Sequence, residues 1–552
     1  MSRARLELVW PGKDQFLLIP KDDNGKPVWV DRDHPAASEV RVADFVGTVG
    51  ETDDEHPHAD NLLFIGDSLD VLRILCEVPE FRQQYRGKIK LIYIDPPFNT
   101  GQTFDDYDDW MEHSTWLSFM RERLLLLRDL LAPNGVMWLH LDNFESHRMR
   151  CLLDEIFGAG QHLASVVWQR TSAKSLARKT LGTMHETIHV YGASEQASLK
   201  SVYLPLADEY VAKRFTNSDS RGVYDAGDLT ASSFRPHLDS GKPWRGHDPS
   251  ERRRCWAVPR SPLEEIGLTE VEIETLTMRE KLDVLDKHGY IHWPDAGGFP
   301  RFKKYLHKAK GRAVGDLWTD ITVINSQAAE RTGFSTQKPE ALIERILLMS
   351  TEPGDLVLDC FAGSGTTAAA AHKLNRRWIT SEILPATADS FILPRLKAVV
   401  SGEDTGGISK SAEWSGGGGF RTVKVGPSMY EDTPFGVVLS EWATNGRFAR
   451  AVAGQLGFEW QADDAAPFCG VRGRMRLAVL DGAVGEEEVR QIVGALDDKQ
   501  RVTIVAKSIL PGAETALAEV SKGSRIRKAP RDLLTSGARR MRRRTGTEGS
   551  PL

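Results

Sequence analysis

Leu91-Ile92-Tyr93-Ile94-Asp95-Pro96-Pro97-Phe98-Asn99-Thr100-Gly101 is the stretch from which the fold can be read. Its first four residues, apolar and mostly β-branched or aromatic, predict a buried strand of a parallel sheet. The prolines carry no N–H and end that ladder, so the chain leaves the sheet at Asp95. Ligands of open α/β sheets bind at the carboxyl ends of strands, which makes Asp95 and Phe98 candidates for chemistry. Pro97 holds Pro96 extended and stiffens the loop. The Asp95 carboxylate and the Pro96 carbonyl can then accept hydrogen bonds from one amino group while Phe98 stacks on the ring carrying it. The plain structural alternative is a helix-capping Asp before a proline turn.

The surrounding chain alternates strands and helices. Leu62–Ser68 reads as a strand ending in Gly66-Asp67-Ser68, where Asp67 could equally cap a helix over 69–77. Residues 114–131 have helical periodicity, Ala132-Pro133-Asn134-Gly135 stops that helix, and Val136–Leu141 is another buried strand. A helix over about 145–156 and two strands at 163–170 and 187–192 follow, and a further helix returns at 338–350. This rhythm predicts a doubly wound, parallel α/β sheet.

A second strand–turn–helix unit is Leu356-Val357-Leu358-Asp359-Cys360-Phe361-Ala362-Gly363-Ser364-Gly365-Thr366-Thr367. Its glycines permit a tight turn and close approach of a ligand to the backbone. Glu382 ends the next strand, nineteen residues after Gly363, where a carboxylate would hold ribose hydroxyls. No Gly-Lys-Ser/Thr follows the turn, so an adenosyl group without phosphates suits it better than a nucleotide triphosphate.

Between these units the rhythm is lost. Residues 195–330 are rich in charge, Gly, Pro and Trp, the composition of a separate inserted module. Within it, residues 301–312 hold six basic side chains and no acid: Arg301, Lys303, Lys304, Lys308, Lys310 and Arg312. Although the chain carries a net charge of −6, local basic patches govern DNA binding more than the total does, and these six are the candidate DNA contacts. Residues 170–179 form a second patch. Residues 1–60 predict a small hairpin-like extension, 401–419 a Gly/Ser linker, and 420–552 a smaller α/β piece. That piece should have helices near 437–456 and 485–496, strands at 475–480 and 501–506, and a mobile basic tail from 521. The five cysteines are widely spaced, which argues against zinc and disulfides. With no signal peptide or membrane-spanning run, this places the protein in the cytoplasm.

With these motifs in order, the chain resembles the β-class DNA amino-methyltransferases, most closely the modification subunits of type III restriction–modification systems. The likeness rests on Asn61-Leu62-Leu63 through Ser68, LIYIDPPFNTG, HSTWLSFMRERL at 113–124, Gly135-Val136 through Asp142-Asn143, His185-Glu186-Thr187-Ile188, Thr336-Gln337-Lys338-Pro339 and LDCFAGSGTT. It spans roughly 60–385. The catalytic motif precedes the cofactor motif, Asp95 lying 266 residues before Phe361, with the loop-rich module between, and that order is the mark of the class.

The resemblance implies a Rossmann-like, permuted S-adenosylmethionine-dependent methyltransferase fold, its core split into 61–194 and 331–400 around a target-recognition domain at 195–330. It implies Asp95, Pro96, Pro97 and Phe98 as the catalytic loop. Asp359, Phe361, Gly363, Gly365 and Thr366 would form the cofactor turn, with Glu382 on the ribose, Asp67 on the adenine side and Lys338-Pro339 near the methionine end. It further implies duplex DNA as substrate, a homodimer, and a separate restriction subunit, since the sequence contains no helicase or nuclease motif.

Adenine N6 is the expected target, because relatives acting on cytosine N4 more often carry Ser at the Asp95 position. N4-cytosine methylation is the near alternative. RNA or protein-glutamine methyltransferases, which tend to carry Asn-Pro-Pro, and a specificity subunit without catalysis stand further off. The chemistry suits the residues. An exocyclic aromatic amine is a poor nucleophile, and hydrogen bonds to Asp95 and the Pro96 carbonyl free its lone pair. The target base must first be flipped from the duplex at a cost of a few kcal/mol, part of which stacking on Phe98 recovers.

Overall fold

The computed structural model describes residues 7–18, 27–99, 102–103, 108–109, 111–171, 181–295, 297–433, 436–461 and 467–534. It resolves into two compact units, Ser201–Val314 and the remainder of the chain.

The larger unit is built on a ten-stranded sheet. In chain order its strands are β1 (Ala43–Gly50), β2 (Asn61–Ile65), β3 (Ile89–Ile94), β4 (Leu131–Leu141), β5 (His162–Gln169), β6 (His185–Gly192), β7 (Leu317–Trp318), β8 (Leu356–Asp359), β9 (Arg377–Glu382) and β10 (Gly419–Val425). Across the sheet the order is β7-β5-β6-β4-β3-β8-β9-β2-β10-β1. The six strands from β4 to β10 are parallel. Antiparallel pairing appears toward the edges, where β6 meets β4, β5 meets β6 and β1 meets β10. The central strands are apolar almost throughout because both faces are covered. Helices α1 (Ser68–Glu77), α2 (His113–Leu130) and α3 (Ser146–Leu153) precede the module, and α4 (Glu340–Ser350), α5 (Thr366–Lys373) and α6 (Leu393–Ser401) follow it. Residues Leu72 and Leu75 of α1 and Trp116, Leu124 and Leu127 of α2 join one core with Ile92, Ile94 and Leu139 of the sheet.

The register at the centre positions the site. Leu91 pairs with Val357 and Ile92 with Leu358, so the two motif strands end side by side. The neighbours of this pair, β4 and β9, belong to different halves of the sequence, which makes this a topological switch point where such sheets bind ligands.

Several expectations are corrected. The core resumes at Gly315 rather than 331: Leu317–Trp318 pairs with β5, and Trp318 is wholly buried. The turn residues 132–135 lie within β4, whose pairing with β3 slips between Ile89 and Leu91 to accommodate them. Residues 401–419 are not a flexible linker. Ile408 is buried, the Gly406 carbonyl accepts from Lys373 Nζ at 3.2 Å, and the Trp414 indole donates to the Val399 carbonyl at 2.7 Å. Nor does residue 420 begin a separate domain, since β10 is part of the main sheet.

Beyond β10, a helix at Asn445–Leu456 is shorter than expected because Gly436–Leu439 pairs as a strand with Tyr430–Thr433. A five-stranded sheet includes Met475–Val484, Arg501–Ile509 and Arg525–Lys528 in parallel. The start of the basic tail is thus an edge strand, and residues from 535 onward lie outside the described residues. At the other end of the chain, Phe16–Leu18 and Val28–Val30 form the expected hairpin pair.

The smaller unit has its own core despite its loop-rich composition. A four-stranded antiparallel sheet pairs 217–219, 222–227, 301–305 and 291–292. It shares a core with Trp244, Trp256, Leu263, Leu282 and Leu285. Helices Glu270–Thr275 and Met278–Lys287 each open with a capping box, Thr269 with Glu272 and Thr277 with Glu280. Among the described residues no helix is long and apolar enough to cross a membrane.

Candidate active site

A cavity of about 960 Å³ opens at the ends of β3 and β8, at the upper end of the range for ligand pockets. Asp95 through Phe98 line one part, and Asp359 through Gly363 with Glu382 line another. The two motifs singled out in the sequence therefore share one chamber.

The Asp95–Asn99 loop is pinned from outside. The Trp116 indole donates to the Pro97 carbonyl at 2.8 Å. Asn99, whose φ is +62°, gives its amide N–H to Glu145 Oε1 at 2.8 Å and accepts the Met111 N–H at 2.5 Å. Glu145 is wholly buried and also holds His113 at 2.5 Å and Arg148 at 3.2 Å. Fixing the loop in this way leaves two acceptors open. Asp95 Oδ1 is buried and has no hydrogen-bond partner, and nothing among the described residues donates to the Pro96 carbonyl. A buried, unsatisfied carboxylate oxygen is costly, so its presence in a cavity marks a place for a donor.

Lys338 lines the same cavity. Its ammonium is 2.6 Å from Asp95 Oδ2 and 5.0 Å from the centre of the Phe98 ring, against the Asp95–Phe98 loop. Burial alone would lower its pKa, but the Asp95 and Glu186 carboxylates outweigh that and raise it. Glu186 is itself buried. Its own burial pushes it up, yet Lys338, His140 and Arg170 pull it below the ordinary carboxylate range. Arg170 Nη1 is 3.0 Å from Glu186 Oε1. His140 Nε2 lies 2.9 Å from Glu186 Oε2 but out of line for a hydrogen bond. His140 Nδ1 is 2.9 Å from the Tyr93 hydroxyl.

The glycine turn is equally built. Gly363 has φ +52° and Gly365 φ +73°, conformations open to glycine at little cost. A side chain on Gly363 would press within 3.1 Å of the Phe334 ring. Asp359 accepts from the Phe361 N–H at 3.0 Å and the Thr367 hydroxyl at 2.6 Å, so it closes the turn from beneath. Burial pushes its carboxyl up to about 7. Thr366 Oγ1 points to the Lys338 carbonyl at 3.2 Å and accepts from Arg395 at 2.9 Å. Glu382 accepts the Gly363 and Leu384 N–H groups, each at 3.1 Å, and burial raises its pKa. Asp67 caps α1 by accepting the Leu69 N–H at 2.8 Å and takes Arg123 Nη2 at 3.0 Å on both oxygens. Its carboxylate lines the cavity while serving the helix and the arginine.

The lining suits an adenosyl sulfonium. Asp67, Asp95, Asp142, Asp359 and Glu382 face a chamber whose two lining cations, Lys338 and Arg170, are both paired with carboxylates. A cation is welcome there and a string of phosphates is not.

The expected DNA contacts divide. Lys303 is paired with Asp219 at 2.8 Å and lies over the Tyr224 ring, and Lys308 is ion-paired with Glu265. Strand alternation puts Arg301 and Lys303 on one face and Lys304 on the other. The six therefore do not form one stripe, and Lys303 and Lys308 are already neutralised. Arg301, Lys304, Lys310 and Arg312 are exposed. Of the 170–179 patch, Arg170 holds Glu186 and residues 172–179 lie outside the described residues.

Residues that sequence reasoning quoted without a role are Glu186 and, on α2, Trp116 and Arg123. It missed Glu145, His140, Arg395 and Glu340. Each is a buried charge or ring whose partner is distant in sequence, and only the fold reveals it.

A permuted α/β sheet with an aspartate–proline loop beside a glycine turn defines an adenosyl-dependent transferase. The family follows from comparison: a DNA methylase family model matches residues 89–392, over half of the chain, and the chain belongs to the N6/N4 DNA methylase family. Among curated relatives, the type II methyltransferase M.EcaI of Enterobacter cloacae is 29% identical over 68% of this chain and 74% of its own length. The HindVI Mod subunit of Haemophilus influenzae, described as a type III restriction–modification enzyme, is 32% identical over 69% of this chain and 56% of its own. The StyLTI Mod subunit of Salmonella typhimurium is 29% identical over 58% and 51%. The chain thus spans about half the length of the Mod subunits it matches. A solved cytosine-N4-specific PvuII DNA methyltransferase aligns at 16% identity over 61% of this chain and 88% of its own with a TM-score of 0.32, too low to carry an argument.

Proposed function

We propose that this chain transfers a methyl group from S-adenosylmethionine to N6 of adenine in a specific duplex DNA site, as the modification component of a restriction–modification system. The observation that carries this reading is the pair of open acceptors, Asp95 Oδ1 and the Pro96 carbonyl, on a pinned loop beside the glycine turn.

Gly363, Gly365, Phe361 and Glu382 would hold the cofactor, with Asp67 and Asp359 shaping its chamber. When bound, S-adenosylmethionine supplies an electrophilic methyl on a sulfonium. The chain's part is positional and electrostatic. Asp95 Oδ1 and the Pro96 carbonyl each take one hydrogen of the amine and favour a pyramidal nitrogen. Phe98 stacks on the flipped base. Fixed acceptors of this kind act without reorganising at the moment of reaction.

Aspartate rather than serine at position 95 supports adenine, as does the likeness to Mod subunits. Residues 201–314 would read the DNA sequence, with Arg301, Lys304, Lys310 and Arg312 on phosphates. A homodimer and a separate restriction subunit complete the proposal, on the same likeness. The test is incubation of unmethylated phage λ DNA with the chain and isotopically labelled cofactor, then mass analysis of the nucleosides. Label in N6-methyldeoxyadenosine is expected. Label in N4-methyldeoxycytidine would overturn the base assignment, and no label would overturn the activity.

A further inference from the structure

The two oxygens of Asp95 have different surroundings. Oδ2 is held by Lys338 at 2.6 Å, and Oδ1 is buried without a partner. The cation on Oδ2 is backed by Glu186, which lowers the cost of burying it, and Glu186 is held in turn by Arg170 at 3.0 Å. From the cavity outward the charges therefore alternate: Asp95, Lys338, Glu186, Arg170. The same ammonium lies 5.0 Å from the Phe98 ring centre, so one side chain touches both the acceptor and the stacking face of the loop.

We propose that Lys338 is a positioning residue for methyl transfer. By gripping Asp95 Oδ2 it keeps the carboxylate turned so that Oδ1 faces the target amine, while Glu186 holds the ammonium in place. This rests on the functional reading above and deepens it, since the resemblance put Lys338 at the methionine end of the cofactor.

A carboxylate with both oxygens open can rotate about its last bond and offer the amine either oxygen or neither. Tying one oxygen removes that freedom, and the salt bridge costs less in this setting because Glu186 supplies the second anion. Near-attack geometry is lost with displacements of about 1 Å, which gives the tether kinetic value. The charged and titratable groups around Asp95 come from six elements. Lys338 is in the loop before α4, Glu186 is on β6, Arg170 follows β5, Asp359 ends β8, and Tyr93 and His140 are on β3 and β4. Among the described residues, Lys338 is the cation in contact with the Asp95 carboxylate.

The test compares the full-length wild type with Lys338→Met and Lys338→Arg. Three quantities are read: kcat and KM on unmethylated λ DNA, and the Kd of S-adenosylhomocysteine by calorimetry, which also reports folding. Lys338→Met is expected to lower kcat by about tenfold to a hundredfold, less than or comparable to losing a donor outright. Its S-adenosylhomocysteine Kd should stay within about threefold. Its KM for λ DNA should stay within about threefold, so that the loss falls on kcat. Lys338→Arg, which can still hold Asp95 Oδ2, should recover most of the lost kcat.

An unchanged kcat in Lys338→Met, or a Lys338→Arg no faster than Lys338→Met, would overturn the proposal and leave the methyltransferase reading intact. So would loss of S-adenosylhomocysteine binding in Lys338→Met, which would return Lys338 to the cofactor. A rate above that of the wild type would also overturn it, by making the salt bridge a resting lock. Absence of methyl transfer by the wild type would overturn the functional reading and this proposal together.

Discussion

Glu340→Ala should destabilise the protein by about 3 kcal/mol and loosen the glycine turn. Glu340 has no exposed surface. Its Oε2 holds Lys373 Nζ at 2.8 Å and the Ile408 N–H at 3.0 Å, and Oε1 holds Arg395 at 2.7 Å. Lys373 is also wholly buried and, among the described residues, keeps Asp404, 2.9 Å away, as its ion-pair partner once Glu340 is gone. Arg395 would be left with neutral acceptors, the Ser364 carbonyl at 3.3 Å and Thr366 Oγ1 at 2.9 Å. Removing one partner of a buried pair costs ~3–5 kcal/mol because the other charge stays uncompensated. The surviving Asp404 contact puts the expectation at the low end. Since Arg395 braces Ser364 and Thr366, S-adenosylhomocysteine affinity should fall with stability. Urea unfolding followed by tryptophan fluorescence gives the first quantity and calorimetry the second. A loss below ~1 kcal/mol with unchanged affinity would refute the reasoning, because the cluster would then be neither costly to break nor coupled to the turn.

Other expectations are direct. Gly363→Asp should abolish S-adenosylhomocysteine binding, since φ +52° and the Phe334 ring 3.1 Å from an added Cβ leave no room; a folded variant with unchanged Kd would show that the turn is not the cofactor site. Burial holds the Asp359 pKa at about 7 against about 3.9 in an unfolded chain, so its stabilising protonated form is full below pH ~3.9 and lost as pH rises to ~7. Asp359→Asn should accordingly gain a few kcal/mol relative to the wild type between those pH values, and a constant difference across the range would contradict this. Replacing Lys304, Lys310 and Arg312 by Ala should weaken binding to all DNA and lower the salt slope by up to about three, whereas Lys303→Ala should change it little because Asp219 already neutralises Lys303. Phe98→Tyr should stay active while Phe98→Ala loses activity, both read as methyl transfer to λ DNA.

The parts legible in the sequence were those whose signal is local. β3 with its proline exit, β8 with its glycine turn, and Glu382 at its spacing each carry their meaning within a few residues. Their adjacency is seen in the register, where Leu91 pairs with Val357 and Ile92 with Leu358. What was hidden depended on partners far apart in the chain. Nothing in the sequence ties Lys338 to Asp95, 243 residues away, yet its ammonium lies on that carboxylate. Lys303 reads as a free cation until Asp219 is seen across the sheet. The segment at 401–419 reads as a linker because its glycines resemble a flexible tether. In the structure those glycines let the backbone pack against buried charges: Gly407 has φ +54° and sits against the Glu340 carboxylate, where a Cβ would collide. Composition identified the module but misplaced its end by sixteen residues, Val314 against 330, because a two-residue strand such as Leu317–Trp318 leaves no periodic trace.

The most direct measurement is methyl transfer by wild type and Asp95→Ala on the same unmethylated λ DNA, read as modified deoxynucleosides, with S-adenosylhomocysteine Kd determined for both proteins. The wild type should yield N6-methyldeoxyadenosine. Asp95→Ala should bind the ligand normally and yield about 10²–10³-fold less product, the cost of one preorganised partner at a developing charge. Equal transfer by the two proteins, whichever base carried the methyl, would contradict the assignment of Asp95 as acceptor of the target amine.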